Sequence, residues 1–257
     1  MRAAKRPVSR SAWLIPVLAL ALAGCVTETP GAPEPASREA RVQAQINLAR
    51  GYLDSDDPSR ARVPLERALE IDPGSADALG LFAVFYQRDE EMELAEQYYR
   101  RALRADANHP ANLNNYAALL YAQGRYKEAL DPLQKLVAIT SYRGRATAFE
   151  NLGLTQMRLG EVEPARNAFR RALSLNPELP GSNLEIADLA YRDGDYRTAA
   201  DHYDVFRQRA RQSPRSLCLG ISLARALGDS DQRASYEIAL RNLYPGSPEA
   251  AQCIPGG

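Results

Sequence analysis

The sequence predicts an all-α solenoid of six helix-turn-helix repeats, and three observations carry that expectation. Small residues recur at Ala49, Ala83, Ala117, Gly153 and Ala187, with Ile221 in the sixth place, at steps of 34, 34, 36, 34 and 34 residues. A second small residue follows the first five at Ala61, Ala95, Ala129, Ala165 and Ala199, and a bulky one comes four places later at Leu65, Tyr99, Leu133, Phe169 and Tyr203. Pro73, Pro177 and Pro245 stand where second helices would end, because proline cannot continue the backbone ladder. A fixed period of this length marks stacked repeats, none of which can bury its apolar face alone.

The chain starts with a different pattern. Arg2, Lys5, Arg6 and Arg10 precede an apolar run from Ser11 to Ala23, SAWLIPVLALALA, which is 13 residues long. A bilayer core of about 30 Å needs roughly 20 helical residues, so this run is too short to span. A cationic segment followed by a short apolar one reads as a secretory signal peptide, residues 1–24. Leu22, Ala23, Gly24 and Cys25 resemble the bacterial lipobox. That resemblance implies cleavage before Cys25 and a covalent lipid on its sulfur and amine, the one non-protein group expected. Several acyl chains, at about 0.8 kcal/mol per buried methylene, anchor firmly where one is marginal. Val26 stands where an Asp would tend to retain such a lipoprotein at the inner membrane, so the resemblance implies an outer-membrane address facing the periplasm. Residues 25–37 continue as a Pro-rich segment, TETPGAPEPAS from Thr27, expected to be an extended, semi-rigid tether.

Residues 38–257 hold the repeats. Repeat three contains YAALLYAQGRYKEAL from Tyr116, and repeat four LGLTQMRLGEVEPARNAFRRALSLNP from Leu152. In each a small residue closes a first helix, Gly makes the turn, and Ala opens a second helix. This pattern resembles the tetratricopeptide repeat, which implies a right-handed superhelix with a concave face lined by the first helices. The single step of 36 places an insertion of two residues between repeats three and four, around Ser141–Arg145. In repeat six Arg233 replaces the expected Ala, as befits a terminal repeat that caps the stack. SPEAAQCI, from Ser247 to Ile254, predicts a short seventh helix beside it.

Composition excludes several classes. The charges balance at 32 Lys+Arg against 32 Asp+Glu, and from Cys25 onward the balance is −4. A nucleic-acid binder needs a basic face, so none is expected. At 45% hydrophobic and 25% charged residues, neither a collagen, a disordered chain nor a polytopic membrane protein fits. Catalytic groups are sparse. His109 and His202 have no His or Cys at metal-ligand spacing and read as surface or packing residues. No phosphate-binding glycine loop or HExxH pair is present, and Asp89, Glu90 and Glu91 are adjacent rather than on one helix face. An enzyme is therefore not expected. Cys218 and Cys253 occupy neighbouring register positions in the last repeat and the seventh helix. In an oxidising envelope they read either as a bridge pinning the terminal cap or as two buried thiols.

Positions two, five, nine and twelve of each first helix face the groove in such arrays, and they supply the candidate binding residues. From them we select Ile46, Arg50, Leu53, Asn114, Tyr121, Leu154, Met157 and Tyr191. Tyr121, Leu154, Met157 and Tyr191 are the apolar anchors, residue types favoured at recognition surfaces. Asp77, Gly80, Glu150, Gly181 and Asp188 share the same register. Ile46 and Arg50 replace the Lys and Asn by which chaperone-binding repeats grip a terminal carboxylate, so an acidic C-terminal peptide is not the expected ligand.

NLNNYAALLYAQG from Asn112, FENLGLTQMRLG from Phe149, LCLGISLARALG from Leu217 and LRNLYPGSP from Leu240, together with the lipobox, tether and repeat number, resemble the PilF/PilW family of type IV pilus biogenesis and stability lipoproteins. Tyr121 departs from the family, whose members often carry Cys there. The resemblance implies a pilotin: a lipid-anchored protein that uses the lipoprotein-sorting machinery to bring the pilus secretin to the outer membrane, and we expect a monomer that holds a secretin segment in the groove or on the apolar face of repeat one. The alternative is a general envelope adaptor of the same fold, serving outer-membrane protein assembly or peptidoglycan enzymes.

Overall fold

The computed structural model describes residues 36–55 and 57–254. The signal peptide, Cys25 and most of the tether lie outside them. Ser37 caps the first helix, its hydroxyl accepting from the Ala40 amide at 3.1 Å. Thirteen α-helices follow among the described residues, with one 3₁₀ turn at Pro58–Ala61. Repeat one is α1 (Arg38–Leu53) and α2 (Arg62–Ile71); repeat two is α3 (Ala76–Arg88) and α4 (Met92–Ala105). Repeat three is α5 (Pro110–Ala122) and α6 (Tyr126–Ala138); repeat four is α7 (Arg145–Arg158) and α8 (Val162–Leu175). Repeat five is α9 (Pro180–Arg192) and α10 (Tyr196–Arg209); repeat six is α11 (Pro214–Leu227) and α12 (Ser230–Leu243), after which α13 (Pro248–Cys253) closes the stack. The described residues form an all-helical tetratricopeptide-repeat solenoid.

The recurring alanines explain the pairing. Ala49 and Ala61, Ala83 and Ala95, and Ala187 and Ala199 are each wholly buried where the two helices of a repeat cross. At Gly153 even alanine is too large, since a methyl there would lie 2.6 Å from the Phe169 ring. The bulky partners Leu65, Tyr99, Leu133, Phe169 and Tyr203 fill the space between repeats. Helices α2, α8 and α12 end two residues before Pro73, Pro177 and Pro245.

The inter-helix turns close alike. Gly124, Gly160, Gly194 and Gly228 have φ of +72°, +77°, +81° and +75°, and the next amide reaches back to the helix carbonyl five residues earlier, as Arg125 does to Leu120 at 2.9 Å. Repeat two differs: Glu90 occupies that place with φ of +61°. In repeat six, Gly220 lets α11 approach, because a methyl there would meet the Tyr203 hydroxyl at 2.5 Å. Cys218 and Cys253 form a disulfide with Cα atoms 5.5 Å apart. It joins α11 to α13 beside the cluster of Leu217, Ile221, Leu240 and Ile254.

Candidate functional site

The first helices α1, α3, α5, α7, α9 and α11 present the groove, and an enclosed part of it lies at the junction of repeats three and four. There Ala117, Ala118 and Tyr121 of α5 face Asn151, Leu154 and Thr155 of α7 across a cavity of about 130 Å³, with Leu133 of α6 also in its wall. Helix α1 packs on α3, and α3 on α5, whereas α5 and α7, like α7 and α9, make no comparable contact. The small side chains of Ala117 and Ala118 leave the gap between α5 and α7 unfilled. The wall is mostly apolar and carries one carboxamide, that of Asn151. Such a pocket suits an apolar side chain whose neighbouring backbone pairs with an amide.

Tyr121 is held in place rather than free to swing. Arg158 donates from Nε to its hydroxyl at 3.1 Å, with the guanidinium carbon 6.0 Å from the ring centroid, and Tyr126 packs edge-on at 5.1 Å. The same bond raises the Arg158 pKa, and Arg158 is exposed.

The other expected groove residues divide into several groups. Leu154 lines the cavity but also packs, with Met157, on the cluster of Ala165, Phe169, Ile186 and Leu189. Met157 and Tyr191 are half-buried and lie outside the cavity wall; Tyr191 packs against Tyr196 at 5.4 Å. Asn114 donates to the Asn115 side chain at 3.2 Å, and Arg50 is exposed.

Ile46 and Leu53 require a correction. They are 1% and 2% exposed, Ile46 against Val42, Ala68 and Ala78, Leu53 against Leu65, Phe82 and Phe85. Aliphatic side chains at the groove margin turn into the α1–α3 contact, where burial favours them, so these two are core residues and offer a partner almost no surface. Asn151, Thr155 and Arg158 escape the four-position rule because they sit one place beyond groove positions five, nine and twelve.

The charged groove positions are mostly satisfied internally. Glu150 accepts from the Ser182 amide at 2.5 Å and its hydroxyl at 2.8 Å, closing the N-terminus of α9, and Gly181 must be glycine because a methyl would lie 2.6 Å from that carboxylate. Arg215 binds Glu185, which is 6% exposed, and donates to Asp188 at 3.2 Å; Arg192 reaches Asp188 at 2.7 Å. The Arg215 pKa is raised, first by its bond to Glu185. Asp77 holds His109 Nε2 at 3.4 Å, raising the imidazole pKa and lowering its own, while His109 Nδ1 accepts from the Asn112 amide and caps α5. His202 Nδ1 meets Asn183 Oδ1 at 2.7 Å, and burial lowers its pKa. Both histidines thus act in packing and capping. Among the described residues no group of three His, Cys, Asp or Glu could hold a metal ion. No described helix is long and apolar enough to cross a membrane.

The tetratricopeptide-repeat family matches residues 74–141, 109–178 and 150–214. The type IV pilus assembly protein PilF of Pseudomonas aeruginosa is 43% identical over 241 residues, covering 93% of this chain and 95% of the relative. The chain belongs to the PilF family. The solved structure of Pseudomonas aeruginosa PilF superimposes with a TM-score of 0.80 at 43% identity, over 84% of this chain and 97% of that one. The crystal structure of PilW, described as a widely conserved type IV pilus biogenesis factor, gives a TM-score of 0.67 at 25% identity, over 82% and 97%. Family membership thus extends through the cavity-bearing repeats.

Proposed function

We propose that the chain is an outer-membrane lipoprotein of type IV pilus biogenesis, a pilotin that binds a segment of the pilus secretin in its groove and carries it to the outer membrane. The observation that carries the reading is the apolar cavity between α5 and α7, set in a PilF-family chain that contains a lipobox cysteine. An acyl-anchored adaptor enters the lipoprotein-sorting route, and whatever its groove holds travels with it. Affinity for the segment need only be moderate, because a shared membrane raises the effective concentration of both partners. The role is that of an adaptor without catalysis: the groove offers shape, apolar surface and amide groups, and its charged side chains are mostly paired with one another. The adaptor acts as a monomer.

The test is the state of the secretin in a strain deleted for this gene, read by unheated gel and membrane fractionation. Loss of multimers, or multimers stranded in the inner membrane, supports the reading. Normal multimers in the outer membrane would remove the secretin as cargo and leave an envelope adaptor with another partner. Cys25→Ser should leave the fold intact and abolish delivery, so correctly placed secretin in that variant would sink the lipid-carrier mechanism.

A further inference from the structure

On the face formed by the second helices, opposite the groove, an open crevice separates repeats one and two. Phe82 and Tyr86 of α3 and Tyr98 of α4 form one wall, and Arg62, Glu66, Leu69 and Glu70 of α2 the other. The three rings make a continuous surface: centroids lie 5.0 Å apart for Phe82–Tyr98, 5.3 Å for Tyr86–Tyr98 and 5.9 Å for Phe82–Tyr86. Phe82 is buried and forms the base, whereas Tyr86 and Tyr98 are half-buried and reach the surface.

The cluster packs on the cores of repeats one to three, but its three rings together are particular to this junction. The same three register places hold Tyr116, Leu120 and Pro132 in repeat three and Ile186, Ala190 and His202 in repeat five, and no other repeat has three aromatic residues there. The next junction is instead closed by charge: Glu96 and Arg125 meet at 2.6 Å, with Arg100 and the Tyr116 hydroxyl also on Glu96. Between repeats one and two the polar wall is only partly used. Arg62 pairs with Glu66 at 2.9 Å, while Glu70 is exposed and forms no ion pair among the described residues.

The geometry points to this crevice as a docking site for a proline-rich segment of a partner protein that carries a Lys or Arg. Half-buried tyrosines side by side at the surface suit the polyproline II helix. Its pyrrolidine rings lie flat on aromatic faces, its backbone carbonyls project outward toward phenol donors, and little conformational entropy is lost on binding. Glu70 supplies the complementary charge for the basic residue. One face of Tyr98 already carries a guanidinium, that of Arg101 at 4.8 Å from the centroid, so a cation is stable beside these rings. The inference concerns a face other than the groove and stands whether or not the secretin is the cargo.

The test is fluorescence anisotropy of the full-length protein in detergent with a labelled (Pro-Pro-Arg)3 peptide, against (Ala-Ala-Arg)3 and (Pro-Pro-Glu)3. The proline-arginine peptide should bind at least tenfold more tightly than either control. Tyr86→Ala should weaken it at least tenfold and Glu70→Gln severalfold, while Tyr121→Ala in the groove leaves it unchanged. Helicity and melting are checked in parallel, and because Tyr86 and Glu70 reach the surface these variants should remain folded; should Tyr86→Ala unfold, Glu70→Gln with the peptide comparison decides. Equal binding of the alanine-arginine peptide, no binding at all, or binding unmoved by Glu70→Gln would overturn the proposal.

Discussion

At the scale of single residues, the cavity between α5 and α7 exists because Ala117 and Ala118 are small and Tyr121 is restrained by Arg158. Ala118 is exposed, so Ala118→Leu can fill the cavity from its rim without disturbing the helix crossing at Ala117. Such a variant should change stability by no more than about 0.5 kcal/mol, the usual range for surface substitutions away from special features. It should nonetheless reduce secretin multimers on an unheated gel as strongly as deletion of the gene. Normal multimers with Leu at this position would exclude the cavity from cargo binding. Glu90 offers a second test. It alone among the described non-glycine residues has positive φ, at a turn where the four following repeats use glycine. A left-handed residue with a side chain costs about 1–2 kcal/mol, partly offset by the greater freedom of glycine in the unfolded chain. Glu90→Gly should therefore stabilise the protein by roughly 0.5–1 kcal/mol in denaturant melts, and a lower midpoint would show that Glu90 has a favourable interaction outweighing the strain.

At the scale of helices and their junctions, the contact between α4, α5 and α6 is built around a charged group, Glu96 with Arg125 and Arg100. The Arg125 guanidinium, with Arg100 beside it, lowers the Glu96 carboxyl to about 2. A carboxylate whose pKa falls on folding contributes stability that is fully present above its unfolded value, about 4.3, and is lost as pH falls through the folded one. Melting temperature should thus fall between pH 5 and pH 2, and Glu96→Gln should flatten that part of the curve while lowering stability at pH 7. Parallel curves for the two proteins would mean that the ion pairs are screened away. The same scale shows how far the sequence could be read. Helix pairing, turn positions and the ends of α2, α8 and α12 follow from residue size, glycine and proline at a fixed period, because backbone geometry admits few alternatives there. Tyr121 and Leu154 reach the cavity for the same reason. Ile46 and Leu53 were not legible: register says which way a helix faces, but whether a margin residue turns outward depends on how closely the next first helix approaches. The aromatic cluster of Phe82, Tyr86 and Tyr98 was equally hidden, since it joins residues of α3 and α4 whose individual places look like ordinary packing positions.

At the scale of the whole array, each repeat touches its neighbours and little else, so stability is close to a sum of repeat and interface contributions and the ends are the weak points. The C-terminal end is intrinsically poor. Arg233 replaces the helix-crossing alanine, and on α12 Ile238 and Leu243 are 58% and 64% exposed. The disulfide between Cys218 and Cys253 compensates by closing a loop with a sequence separation of 35 residues, for which chain entropy gives about 3–4 kcal/mol. Because coupling passes only from neighbour to neighbour, the effect of breaking it should fade along the stack. Reduction, or Cys253→Ser, should speed amide exchange in α11, α12 and α13 by up to several hundredfold, change α9 and α10 modestly, and leave α5 to α8 as they were. Secretin delivery, if it depends on the cavity between α5 and α7, should then survive reduction of the cap. Exchange accelerated evenly from α1 to α13 would instead show that the array unfolds as one cooperative unit, and that the terminal bridge stabilises the binding repeats as much as its own.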